Sequence, residues 1–381
     1  MESIQEAGVI KRSERNSSIE LLRIVIMLMI VGCHFATHGG FSFDNQTITI
    51  PRLWWNVIEM GGNFGVDVFV IISGYFLIEN RSLRLDFKKI CKLWGQLFFY
   101  SVALFFFAFA IGKGTIAPTS IIKSLFPVSF SQWWFASTYF VMFLLHPYLN
   151  RLLLSFDKGQ YQKFVVFLFI IWSIIPTFTT SSFQSNDLIE FLMYYSIAGY
   201  IKLYGLNPAI KSRQWFILWF SFSLLTYLSC VVFMVLGTRY EIFATHAIYF
   251  YGRQSVLTIF RAISFFMAFA TKKMKYSRVI NTVSSATFGV YLLHDSNLLR
   301  PYLWKEVFQN ASYQNTALLI PYSIIVVILV YIVCTAIDLG RKYLIEKPFL
   351  KLVNAHADQW LLPFEKVIDW AKSIVFGKKT E

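Results

Sequence analysis

Along the 381 residues, apolar runs of membrane-crossing or nearly crossing length recur at about 19–37, 63–79, 93–112, 133–153, 164–178, 188–204, 215–237, 254–271, 281–298 and 316–338. Since roughly 20 apolar residues make a helix long enough for a bilayer, this pattern predicts an all-α polytopic membrane protein with about ten transmembrane helices. The shortest run, FVVFLFIIWSIIPTF, carries Pro176 near its end, where a kink or stop is expected. Beyond the last span, Phe364, Val367, Ile368, Ile374 and Val375 recur with Trp360 and Trp370 beside them, which predicts an amphipathic helix lying on the inner membrane surface. The expected organisation is a cytoplasmic tail over 1–18, a membrane domain over 19–350 and a second cytoplasmic tail over 351–381 that holds this helix.

Charge sets the expected orientation. Of the 35 Lys and Arg, 26 fall in the two tails and alternate loops of one side and 7 on the other, with Arg23 and Arg261 inside spans. The asymmetry predicts that both termini are cytoplasmic, in the cell membrane. The net charge of +14 then reads as this bias plus attraction to anionic membrane lipid, and argues for no nucleic-acid partner. Only 15% of residues are charged, against roughly 25% in soluble domains, so no soluble domain is expected beside the membrane part. Cys33, Cys91, Cys230 and Cys334 stand singly without CxxC spacing, and neither a disulfide framework nor a metal site is expected.

In the first span, RIVIMLMIVGCH sets Arg23 and His34 at the ends of ten uncharged residues. Eleven residues of helix rise about 16 Å in nearly three turns, so both side chains leave one face. Both are costly in lipid, and that face is expected to look into the bundle or a wet cavity, with Glu20 pairing to Arg23. The second span opens GGNFGVDVFVIISGY and carries Asp67 at about the depth of His34, among Gly61, Gly62 and Gly65. A carboxylate holding one imidazole nitrogen leaves the other free as a base, which makes Asp67 the expected partner of His34. Structural readings stand beside these: Arg23 snorkelling to the interface, His34 bonding a neighbouring helix, and Asp67 as a helix N-terminal charge.

The Arg-x10-His of the first helix, GGNFGVDVFVIISGYFLI after it, the basic run opening the third helix, WWFASTYFVMFLLHPYLN in the fourth and TFGVYLLH in the ninth resemble the membrane-bound acyltransferase-3 family over about residues 17–350. The resemblance implies O-acylation of polysaccharides, lipopolysaccharide, peptidoglycan or small lipidic acceptors from acyl-CoA, and it places the family's first-helix arginine and histidine on Arg23 and His34. The family's Arg-x-x-Arg has no clean copy: Lys89 and Lys92 keep the spacing, while Arg81 and Arg84 match the letters but lie earlier, in the loop. No fused extracytoplasmic esterase-like domain is expected from these residues.

On this reading the donor is acetyl-CoA or another acyl-CoA, held by Arg23, Lys88, Lys89 and Lys92 at the inner face, and no cofactor is bound permanently. His34 takes the proton of an acceptor hydroxyl, directly or through its own acylation. The acceptor expected by fold analogy is a surface glycan or a lipid-linked glycan. His294 and Arg261 are candidates for substrate contact, with packing roles as alternatives. His146, before Pro147, reads as structural, and Trp54, Trp55, Trp133 and Trp134 as an interfacial aromatic belt. A transporter or flippase of lipid-linked sugars is the rival class, though neither an inverted repeat nor a matched pair of broken helices supports it. A glycan polymerase would need a larger outer segment than 38–62.

Overall fold

The computed structural model describes residues 16–376, and every regular element among them is helical. In chain order these are α1 Ser17–His38, α2 Ile50–Glu59, α3 Gly61–Leu77, α4 Phe87–Ala110, α5 Pro118–Leu125, α6 Trp134–Leu154, α7 Lys158–Phe169, α8 Ile175–Thr179, α9 Asp187–Tyr204 and α10 Ser212–Gly237. There follow α11 Glu241–Thr245, α12 Val256–Ala270, α13 Arg278–Ser284, α14 Thr287–His294, α15 Leu319–Arg341 and α16 Lys347–Phe376. Six stretches among the described residues are long and apolar enough to cross a membrane: Ser17–His38, Ile50–Leu77, Phe87–Ala110, Lys158–Thr179, Ser212–Gly237 and Leu319–Ala357. The other four predicted spans coincide with α6, α9, α12 and the α13–α14 pair, which are more polar, shorter or interrupted.

α1 is the central post. Asn16 caps it by accepting from the Ser18 amide, and it packs against α3, α13 and α15. The glycines of α3 make the closest of these approaches, since a Cβ on Gly62 would stand 2.3 Å from Cys33 Sγ and one on Gly65 2.8 Å from Ile30 Cγ1. Ahead of α3, much of the expected 38–62 loop is helical: Thr49 caps α2 by accepting from the Arg52 amide, and Pro51 sits in its first turn. Arg52 is buried there and donates to the carbonyls of Asp44 and Thr47 at 2.7 and 2.8 Å, which ties the outer segment down.

Two predicted spans are not uniform helices. Pro176 has no amide to donate, and the ladder before it loosens into a π turn at Ile170–Ile174 between α7 and α8. The ninth span breaks into α13 and α14 at Ser285 and Ala286, where the Thr287 hydroxyl donates to the Ser284 carbonyl at 2.9 Å and Lys342 to that of Ser285.

At the C-terminal end the chain runs through a π turn into the 30-residue α16, whose Phe349 packs on α4 at Gly95. Leu362, Val367, Ile368, Trp370 and Ile374 are exposed on it, as are Lys366 and Asp369. Residues 1–15 of the first tail, residues 377–381 of the second, and the side chains of Phe364 and Val375 lie outside the described residues.

Candidate active site

His34 meets His294. α14 ends at His294 and delivers its ring against α1, with His34 Nδ1 2.8 Å from His294 Nε2. The other nitrogen of His294, Nδ1, lies 2.6 Å from the Val290 carbonyl, one helical turn back. A carbonyl only accepts, so Nδ1 of His294 carries a proton and its Nε2 is the acceptor of a neutral ring. The bond between the rings must then be donated by His34 Nδ1, which leaves His34 Nε2 with a lone pair. His294 does for the tautomer what the sequence assigned to Asp67.

Against His34 lies a pocket of about 160 Å³ whose walls include Met27, Ile30, His34, Val66, Phe69 and Trp134. Asp295 Oδ1 stands 3.6 Å from His34 Nδ1, 3.7 Å from His38 Nε2 and 3.1 Å from the Arg300 guanidinium. Asp295 is buried and Arg300 part-exposed, so the histidines sit beside a carboxylate whose charge is already partly compensated.

Asp67 turns elsewhere. It is buried, and its Oδ2 lies 2.9 Å from the Tyr194 hydroxyl, whose one proton is shared between that carboxylate and the Arg253 carbonyl at 2.6 Å. No hydrogen bond joins it to His34 among the described residues. On α3, Gly62, Asn63, Val66 and Phe69 line the pocket and Asp67 does not. Arg253, close by, pairs with Asp187 and with Glu190 at 2.9 Å and lies 4.7 Å from the Trp134 ring centre.

Nor does Glu20 pair with Arg23, since its carboxylate accepts from Ser284. Arg23 is half-buried and its Nε is enclosed without a hydrogen-bond partner. It shares the helix face of Met27, Ile30 and His34, the side of α1 that lines the pocket. At that same end, Asp86 caps α4, and Lys89, Lys92, Gln96, Tyr139 and Phe143 line a second pocket of about 180 Å³. Lys92 is 3.2 Å from Glu346 and exposed Lys89 3.4 Å from Asp86, whereas Arg81 and Arg84 are exposed in the segment before the helix.

Arg261 is 1% exposed and, among the described residues, forms no ion pair. It donates to Ser223 Oγ and to the Met60 carbonyl, each at 3.2 Å, and stacks 4.8 Å from the Phe64 ring centre, bracing the junction of α2 and α3. His146 caps its own helix turn at the Phe143 carbonyl. The tryptophans are not a simple belt: Trp54, Trp55 and Trp133 donate to Ser323 Oγ and to the carbonyls of Ala36 and Leu292, at 2.9, 3.0 and 3.1 Å, and Trp134 lines the histidine pocket.

The family model described as an acyltransferase domain, that of the acyltransferase 3 family, matches residues 16–339. The chain belongs to the acyltransferase 3 family. Among curated proteins and solved structures, nothing matches it. The match spans every residue of the histidine pocket, and the protein is a membrane acyltransferase. In this acyltransferase the sequence reading missed His38, Asp295 and Arg300. The signals were present: His38 stands four residues after His34, and Asp295 follows the histidine of TFGVYLLH directly.

Proposed function

We propose that this acyltransferase moves an acyl group, acetyl foremost, from cytoplasmic acyl-CoA to a hydroxyl of a surface polysaccharide or its lipid-linked precursor. The observation that carries the reading is the ring-to-ring bond that holds the proton of His34 on Nδ1 and leaves Nε2 unprotonated in a helix-walled pocket. His34 Nε2 accepts the hydroxyl proton as the oxygen attacks the thioester carbonyl. When the tetrahedral intermediate collapses, the ester forms, the carbon–sulfur bond breaks, and the imidazolium returns the proton to the departing thiolate. Asp295, 3.6 Å away, stabilises the imidazolium in between. Arg23, Lys89 and Lys92 supply positive charge for the phosphates of the donor at the opposite end of α1. The rise from Arg23 to His34, about 16 Å, is comparable to an extended pantetheine arm.

Orientation is tested first. With Ser82 inside and Asn45 outside, both exposed, Ser82→Cys should resist an impermeant thiol reagent in intact cells and Asn45→Cys should react, once the native cysteines are removed. The reverse pattern would place the donor charges on the wrong side.

The donor is tested next, in sealed vesicles of known orientation, where labelled acyl-CoA should be consumed only from the cytoplasmic face. Arg23→Ala should raise the apparent KM for acyl-CoA by about 10- to 100-fold, the equivalent of about 1–3 kcal/mol for one charge-assisted contact, and leave kcat nearly unchanged. Donor binding in the variant should also depend less on salt. A purified protein that binds no acyl-CoA would overturn the proposal.

A further inference from the structure

His34 and His38 stand one turn apart on one face of α1, the i, i+4 spacing by which helices present two imidazoles to a metal. Asp295 closes the set from α14: its Oδ1 is 3.6 Å from His34 Nδ1 and 3.7 Å from His38 Nε2, and one donor atom of each of the three lies within 4.8 Å of the others. Metal–nitrogen bonds of about 2.0–2.1 Å at a tetrahedral centre put ligand atoms about 3.3–3.4 Å apart. The two separations to Asp295 are a few tenths of an ångström longer and the whole set lies within 4.8 Å, so the side chains must close on an ion by rotation. Two imidazoles and one carboxylate suit zinc and its neighbours rather than magnesium or calcium, which take oxygen ligands. The pocket lined by His34, Thr37 and His38 leaves room for a water as fourth ligand, while Arg300 donates to that same Oδ1 at 3.1 Å and competes with a metal for it.

We propose that His34, His38 and Asp295 bind a divalent transition metal, zinc above all, and that binding switches acyl transfer off. The switch follows from the tautomer. Without metal, Nδ1 of His34 carries the proton and Nε2 the lone pair. A metal on Nδ1 takes that nitrogen's lone pair, so the ring's single proton sits on Nε2 and the base is gone. The bond to His294 must open for this, and Arg300 adds a nearby positive charge. Both weaken the site, which makes it a reversible inhibitory site rather than a permanent one. The inhibition rests on His34 acting as the base; the binding does not.

The experiment measures zinc binding to the purified full chain by equilibrium dialysis, and acyl transfer in parallel. One zinc per chain should bind, with transfer lost as the site fills and regained on chelation, while magnesium does neither. His38→Gln and Asp295→Asn should each weaken binding at least about 10-fold. Their elution as folded protein on size exclusion qualifies them, and Cys33→Ser, which removes the nearest thiol of the pocket wall, should bind as the parent does. Absence of binding to the unsubstituted chain, or equal binding by both ligand variants, overturns the site. Zinc held through His38 and Asp295 with transfer undiminished overturns the switch. A chain that transfers nothing even without zinc is a failure of the acyltransfer reading, and dialysis still decides the site.

Discussion

Replacing His34 with alanine is expected to lower acyl transfer by at least about 10²-fold while the protein inserts and accumulates normally. General-base catalysis contributes roughly 10²- to 10⁴-fold, and the imidazoles that remain, His294 and His38, present their nitrogens from other positions, so neither reproduces the geometry of His34 Nε2. Donor binding should survive, so the loss appears in kcat rather than in KM for acyl-CoA, the opposite of Arg23→Ala. His294→Ala should cost less, about 10-fold, since it releases the orientation of His34 without removing the base. Asp67→Asn separates the two possible partners. Bonded as it is to Tyr194, it should lower thermal stability and leave turnover largely intact, whereas a partner of His34 would lose turnover. Turnover at the unsubstituted rate by a well-folded His34→Ala protein would sink the catalytic role and leave His34 as a packing residue.

Gly289→Ala is expected to destabilise the bundle by about 3–5 kcal/mol, for a reason visible across two helices. A Cβ at Gly289 would stand 2.1 Å from Asp338 Cγ and 2.2 Å from its Oδ1. That oxygen is the hub of a buried network: it accepts from Tyr100 at 2.8 Å, Gln96 at 3.2 Å and Arg341 Nε at 2.8 Å, and Arg341 continues to Glu346 at 2.7 Å. Asp338 is fully buried, so a methyl group there must drive a carboxylate off its cation without any water to receive it. The apparent Tm in detergent should fall by more than about 5 °C. Asp338→Ala should fall comparably, because it strips Arg341 of one of its two carboxylates. In the double variant the contacts with Cγ and Oδ1 are gone and only the one with the Cβ of residue 338, at 2.6 Å, remains, so the losses should combine to less than their sum, with a coupling of roughly 1–3 kcal/mol. Strict additivity would show that Gly289 is not there to make room for Asp338.

What the chain dictates locally is read locally. The positions of the ten apolar runs, the shared face of Arg23 and His34, and the disturbance at Pro176 all follow from helical periodicity and from the missing amide of proline. The break in the ninth span was less visible, because Ser284, Ser285 and Thr287 look like small helix-compatible residues until their hydroxyls and Lys342 take up the carbonyls there. The same holds for α2, where Thr49 and Pro51 are start signals inside what hydropathy alone marks as a loop.

By itself, the sequence determined that the protein is helical and membrane-embedded, and that its first helix carries an arginine and a histidine along one stripe, since burial length and periodicity are properties of a single segment. Only the tertiary structure decided what each polar group meets. His34 is bonded to a histidine 260 residues away, and Asp67 to a tyrosine 127 residues away. Inside a bilayer every buried polar atom needs a partner, and several candidates satisfy that need equally well on paper. The choice falls to helix rotation. On α3 the pocket takes Asn63 and Val66 while Asp67 meets Tyr194 of α9 instead, and the C-terminal end of α14 brings His294 and Asp295 to α1 together.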